Sequence, residues 1–114
     1  MADLGSINKH SVRLILKSKQ LQKLLAFDRA ALDIADSLCE CALFVNLNIG
    51  NAVGTDDENR AAKSYDRALQ KVGLAKYYVA LLQKTKYLSP NALNSFFADL
   101  DKIEEGLRHL ITAE

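Results

Sequence analysis

FDRAALDIADSLCECALFVNLNI, residues 27–49, decides the fold. Phe27, Ala31, Ile34, Leu38, Cys41, Val45 and Ile49 recur at steps of three and four, which lays a single apolar stripe along an α-helix. Nothing in the stretch alternates as a strand would. The helix is expected to end where Asn46, Asn48, Gly50 and Asn51 accumulate, as helix C-termini often do.

The same period extends in both directions. Upstream, Ile7, Leu14, Leu21 and Leu25 stand at heptad-like steps over about Ile7 to Leu25. No Gly or Pro separates this segment from the next, so the two either meet at a turn or run on as one helix. Downstream, Thr55-Asp56-Asp57-Glu58 has the form of a capping box, with Asp56 and Asp57 at the positive end of the helix dipole. Ala61, Tyr65, Ala68, Val72, Ala75, Val79 and Leu82 then form a continuous core stripe. Ser89-Pro90 reads as a cap followed by a first-turn proline, and Leu93, Phe97, Leu100, Ile103, Leu107 and Leu110 face inward from a fourth helix. Helices of this length with short connections pack as an all-α, antiparallel up-and-down four-helix bundle.

At 114 residues, 49% of them hydrophobic, the chain makes one domain with a packed core. No apolar run approaches the roughly 20 residues of a membrane span. Residues 1–6 precede the periodic pattern and are expected to be disordered or foreign to the domain. The stretch Ile7 to Leu25 is rich in Lys, Arg and Ser and free of acids, like a presequence. Removing it would strip the bundle of a helix, so it is read as structural. Cys39 and Cys41 lie about 200° apart around their helix and cannot bond each other. They are expected to be core thiols of a cytoplasmic protein. No metal and no cofactor is expected: His10 and His109 stand at opposite ends of the chain, and a structural metal needs four ligands at workable spacing.

Gly50 and Gly54 sit just ahead of a helix, a placement that phosphate loops also use. Such a loop needs Lys and then Ser or Thr directly after its second glycine. Here Thr55, Asp56 and Asp57 follow, and two carboxylates at the helix start would repel a polyphosphate. The stretch is therefore a capped hinge. No nucleophile, base and orienting group stand together. The carboxylates Asp99/Asp101 and Glu104/Glu105 are placed on the solvated side of the last helix. Arg108 and His109 are adjacent, without the spacing that some helical-bundle ribonucleases use. No enzymatic activity is expected.

Charge alternates along the chain. Residues 1–30 carry +4, residues 31–54 carry −3, residues 55–86 carry +3 and residues 87–114 carry −3. Arg60, Lys63, Arg67 and Lys71 fall within about 80° of helical arc, and Lys9, Arg13 and Lys17 do the same on the first helix. Such stripes either pair with the acidic neighbouring helices and solvent or track a phosphate backbone. The first and third helices are diagonal in an up-down bundle, so the stripes would merge only between subunits. Further along the third helix the arc turns apolar through Leu74, Tyr78 and Leu81, about 120° from the core stripe. A small bundle has no larger core to cover a second face. The three residues are therefore candidates for a homo-oligomer interface, with Tyr78 placed there instead of in the monomer core.

VNLNIGNAVGTDDENRAAKSYDRALQKVGLAKYYVALLQKTKYLS, residues 45–89, resembles the central region of small bacterial four-helix-bundle proteins encoded in intervening sequences of large-subunit ribosomal RNA genes. Asn48-Ile49-Gly50-Asn51, Ala68-Leu69 and Tyr87-Leu88-Ser89 match the family's helix end, mid-helix segment and closing turn. FDRAALDIADSLCECAL and LDKIEEGLRHLI are similar to the accessory variability protein of diversity-generating retroelements, which shares that fold. The likeness spans about Leu25 to Ile111. It implies assembly into pentameric rings, and from the retroelement member it implies binding of RNA or DNA and partnership with a reverse transcriptase. That member is decidedly basic and tends towards Gly-Arg-Met-Leu-Gly-Gly-Trp in its last helix, where this chain has Glu104-Glu105-Gly106-Leu107-Arg108. The alternative is a bundle that binds only other proteins.

Overall fold

The computed structural model describes residues 4–112. Four helices make up the fold: α1 (Leu4–Leu24), α2 (Arg29–Val53), α3 (Glu58–Thr85) and α4 (Pro90–Thr112). No strand occurs among the described residues. α1 packs on α2 and α4, and α3 packs on the same two, while the backbones of the diagonal pairs α1/α3 and α2/α4 stay apart across the core. The long axis of the molecule is 45 Å, close to the roughly 42 Å that a helix the length of α3 spans at 1.5 Å per residue. The helices therefore run side by side along that axis, each reversing on the one before it.

The helix ends show how the chain turns. Asp28, at φ −127°, ends the coil between α1 and α2, and its carboxylate accepts from the Ala31 amide at 3.2 Å. This cap separates two segments between which no Gly or Pro stands. Phe27 belongs to the turn and is 71% exposed, so it is not the first member of the α2 core stripe. Its ring meets Tyr87 edge-on at 5.1 Å, and the Tyr87 hydroxyl donates to Asp28. That contact clips the α1–α2 and α3–α4 turns together at one end of the bundle.

Two other boundaries differ from the sequence reading. α2 continues through Gly50 as far as Val53, and the Gly54 amide closes it on the Gly50 carbonyl at 3.0 Å. α3 is capped by Asp57, whose carboxylate accepts from the Asn59 and Arg60 amides at 2.9 and 3.3 Å. Thr55 only accepts from the Asp57 amide within the turn, so the capping box does not form. α3 ends at Lys86 in the left-handed conformation (φ 62°). The Ser89 hydroxyl then accepts from the Ala92 amide at 3.1 Å, with Pro90 at the first helical position as expected. α1 already includes Leu4, Gly5 and Ser6, while residues 1–3 lie outside the described residues.

The core runs the length of the bundle, with Leu14, Leu38, Val45, Val72, Val79, Leu82, Leu100, Ile103 and Leu107 fully buried. Small side chains are buried on both α2 (Ala31, Ala35, Ala42 and Ala52) and α3 (Ala61, Ala68 and Ala75). Ser11 and Ser18 fill the α1 core positions between the leucines. Ser18 donates to the Leu14 carbonyl at 2.7 Å, and Ser11 accepts from Asn46 at 3.3 Å, so neither hydroxyl is buried without a partner.

Candidate nucleic-acid interface

Spacing alone makes the two basic stripes look alike, yet what stands across from each differs. On α1, the Lys17 ammonium sits 2.6 Å from Asp99 Oδ2 on α4 and also donates to the Ser95 hydroxyl and carbonyl at 2.7 and 3.0 Å. His10 Nδ1 donates to Asp99 Oδ1 at 2.7 Å, and Arg13 Nε lies 3.9 Å from the same oxygen. Oδ2 receives no well-directed hydrogen bond; the Lys17 charge compensates it. Burial pushes the Asp99 carboxyl up, but Lys17 and His10 beside it, together with the charges of Lys17 and Arg13, outweigh burial and hold it below its ordinary value.

Asp99 is thus not on the solvated face where the sequence reading placed it: the residue is 3% exposed. It lies three residues after Phe96 and four before Ile103, both buried, and so shares the core phase. The α1 stripe divides accordingly. Lys17 is drawn into the α1–α4 seam, Arg13 leans towards it, and Lys9 stays in solvent. The α3–α4 seam repeats the pattern at Lys76, which meets Asp101 at 2.7 Å and Glu104 at 3.2 Å. Burial alone would lower the Lys76 ammonium, and the two carboxylates more than reverse that.

The α3 stripe has no such acid facing it. Arg60, Lys63 and Arg67, with Ser64 between them, occupy positions i, i+3, i+4 and i+7 of one helical face. Across from them lie Asn51 in the last turn of α2 and Thr55 in the connecting turn. The six residues enclose an open cavity of about 420 Å³ with no carboxylate in its wall. Among the described residues no acid pairs with Lys63 or Arg67, and Arg60 makes only a loose 3.9 Å contact with Asp57. Lys71, the fourth candidate, departs from this group. Its ammonium lies over the Phe44 ring of α2, 5.0 Å from the centroid, a cation–π contact.

The apolar half of the α3 arc adjoins that contact. Leu74 is 38% exposed, and Tyr78 and Leu81 are half-buried. Tyr78 packs against the rim of the monomer core and against Tyr77. Leu74 and Tyr78 share a shallow pocket with Phe44 and Cys41. Leu43, Phe44 and Leu47 of α2 are about half exposed and widen the apolar band. The sequence reading left them out, although the unbroken apolar run 41–45 wraps too far around a helix to be wholly internal. Cys39 and Cys41 are buried free thiols, and burial pushes the Cys41 thiol up.

Among solved structures, a protein of unknown function from the S23 ribosomal protein family of Bacteroides thetaiotaomicron superposes on nearly the whole bundle. The match covers 96% of this chain and 97% of the other, with a TM-score of 0.87 at 17% identity. The chain has the fold of an S23-family protein. At that identity the S23-family protein speaks to architecture alone, and the cavity and the seams described above are features of this chain's own residues. No family model matches the sequence, and no curated protein does. No helix among the described residues is long and apolar enough to cross a membrane.

Proposed function

We propose that the chain is a non-enzymatic, self-associating helical bundle that binds RNA or DNA at the α2–α3 end, as an accessory module of a larger nucleoprotein assembly. One observation carries this reading. In a chain whose net charge is only +1, Arg60, Lys63 and Arg67 converge on one cavity with no acid in its wall. Elsewhere the inward cations Lys17 and Lys76 are spent on Asp99, Asp101 and Glu104. A ring of subunits would bring several such clusters onto one surface, and the resemblance to retroelement accessory proteins makes a reverse transcriptase the partner to try first.

The test is an RNA-binding titration at two salt concentrations, with the wild type and an Arg60→Glu/Lys63→Glu/Arg67→Glu variant. Phosphate contacts release counterions, so wild-type affinity should fall steeply with salt. The variant should not bind. Equal retention of RNA by both proteins at low salt would sink the reading.

The exposed band of Leu43, Phe44, Leu47 and Leu74 favours a second reading, a bundle whose partners are only proteins. It predicts a native preparation free of nucleic acid that co-purifies with a protein partner. An absorbance ratio showing bound RNA would count against it.

A further inference from the structure

We propose that the cavity between the α2–α3 turn and the first half of α3 is a site for a phosphomonoester: the terminal phosphate of a nucleic-acid strand, or the same group on a free mononucleotide. The inference rests on the nucleic-acid reading only for the source of the phosphate.

Charge and shape select the group. Arg60, Lys63 and Arg67 bring three positive charges to one cavity of about 420 Å³, whose other walls are the hydroxyls of Thr55 and Ser64 and the amide of Asn51. A phosphomonoester carries a charge of about −1.5 to −2 at neutral pH and offers three terminal oxygens. Two guanidinium forks, one ammonium and two hydroxyls match that acceptor set. An internal phosphodiester has a single charge and would leave most of the cluster uncompensated. The cluster is also a point and not a track, since Lys71, which would continue the line, is turned onto Phe44.

The surroundings favour a strand that stops here. Asp56, Asp57 and Glu58 lie immediately ahead of the cluster and would repel a polyanion passing over the helix start. Asp57 already occupies the Asn59 and Arg60 amides, so recognition falls on the side chains and not on the helix terminus. Three like charges at i, i+3 and i+7 repel one another within α3. Among the described residues Lys63 and Arg67 form no ion pair that would offset that repulsion, and no carboxylate lines the cavity they share. An anionic ligand would.

Fluorescence anisotropy tests the proposal with two RNA oligonucleotides of one sequence, one bearing a 5′-phosphate and the other a 5′-hydroxyl. A titration with adenosine monophosphate supplies the free-nucleotide arm. The wild type should prefer the phosphorylated strand by about tenfold, the worth of one charge-assisted hydrogen bond. Lys63→Gln/Arg67→Gln should remove the preference, with unchanged far-UV circular dichroism, while Lys9→Gln on α1 should keep it. If only adenosine monophosphate binds, and the double variant loses it, the site stands with a free nucleotide as its ligand and the nucleic-acid reading falls. Salt-dependent RNA binding with equal affinity for the two strands, and no binding of adenosine monophosphate, would overturn the site and leave the nucleic-acid reading intact. So would a phosphate preference that survives in the double variant.

Discussion

Replacing Asp99 with Asn removes one negative charge from the α1–α4 seam and keeps the volume. The side chain is 4% exposed, with the Lys17 ammonium at 2.6 Å and His10 Nδ1 at 2.7 Å. Removing one partner of a fully buried ion pair costs about 3–5 kcal/mol. Here Lys17 and His10 are 23% and 21% exposed and can recover part of their hydration, so the expected cost is about 2–3 kcal/mol. For a domain of this size that lowers Tm by about 10–15 °C. Urea unfolding at fixed protein concentration measures the loss directly, with an unchanged m-value as the sign that only stability moved. The pH dependence is a second check. The folded-state pKa of Asp99 is lowered, so its contribution is fully present above the unfolded value of about 3.9 and is lost as pH falls through the folded one. The gap between wild type and variant should begin to narrow as pH falls through the unfolded value and close only below the folded one. A loss under about 0.5 kcal/mol at pH 7, as for an ordinary surface change, would refute the seam, as would a gap that persists in acid.

Three further substitutions probe the fold and the assembly. Asp57→Ala should cost about 1 kcal/mol as the loss of an N-cap, and Thr55→Ala clearly less; the opposite order in urea melts would restore Thr55 as the cap. Leu100→Ala should cost about 3 kcal/mol, since the side chain is fully buried; a loss below about 1 kcal/mol would mean that the site is not packed as described. If the bundle self-associates through this face as proposed, Tyr78→Glu should break the assembly while leaving most helicity, because an unpaired carboxylate is costly in an interface. Light scattering and far-UV circular dichroism read both at once: a variant that stays assembled puts Tyr78 on open surface, and one that unfolds puts it in the core.

What the sequence made legible was periodicity. The α3 stripe from Ala61 to Leu82 and the α4 positions Leu93, Leu100, Ile103 and Leu107 are all buried, because a 3.6-residue repeat of apolar side chains admits few other arrangements. Ser11 and Ser18 escaped, since a buried serine that bonds within its own layer leaves no apolar mark. Asp99 escaped for a related reason: taking Phe97 and not Phe96 into the stripe turns the helix by one residue and carries Asp99 to solvent. The two basic stripes show the deeper limit. Lys9/Arg13/Lys17 and Arg60/Lys63/Arg67 each lie on one helical face at steps of three or four, and their fates diverge because Asp99 stands opposite one and no acid lines the cavity beside the other. A charge's partner across the bundle is fixed by how the helices meet, which periodicity along one helix does not encode.

The most direct test of the account is the slope of log affinity against log salt for an unstructured RNA. With Arg60, Lys63 and Arg67 as the binding cations, the slope should be clearly negative and no steeper than about −2 per subunit, at roughly −0.7 per neutralised phosphate charge on a single strand. Arg60→Gln/Lys63→Gln/Arg67→Gln should bring that slope close to zero, with helicity and oligomeric state unchanged. A variant that keeps the wild-type slope, or a wild type that binds no RNA at low salt, would contradict the assignment of this cluster as the binding surface.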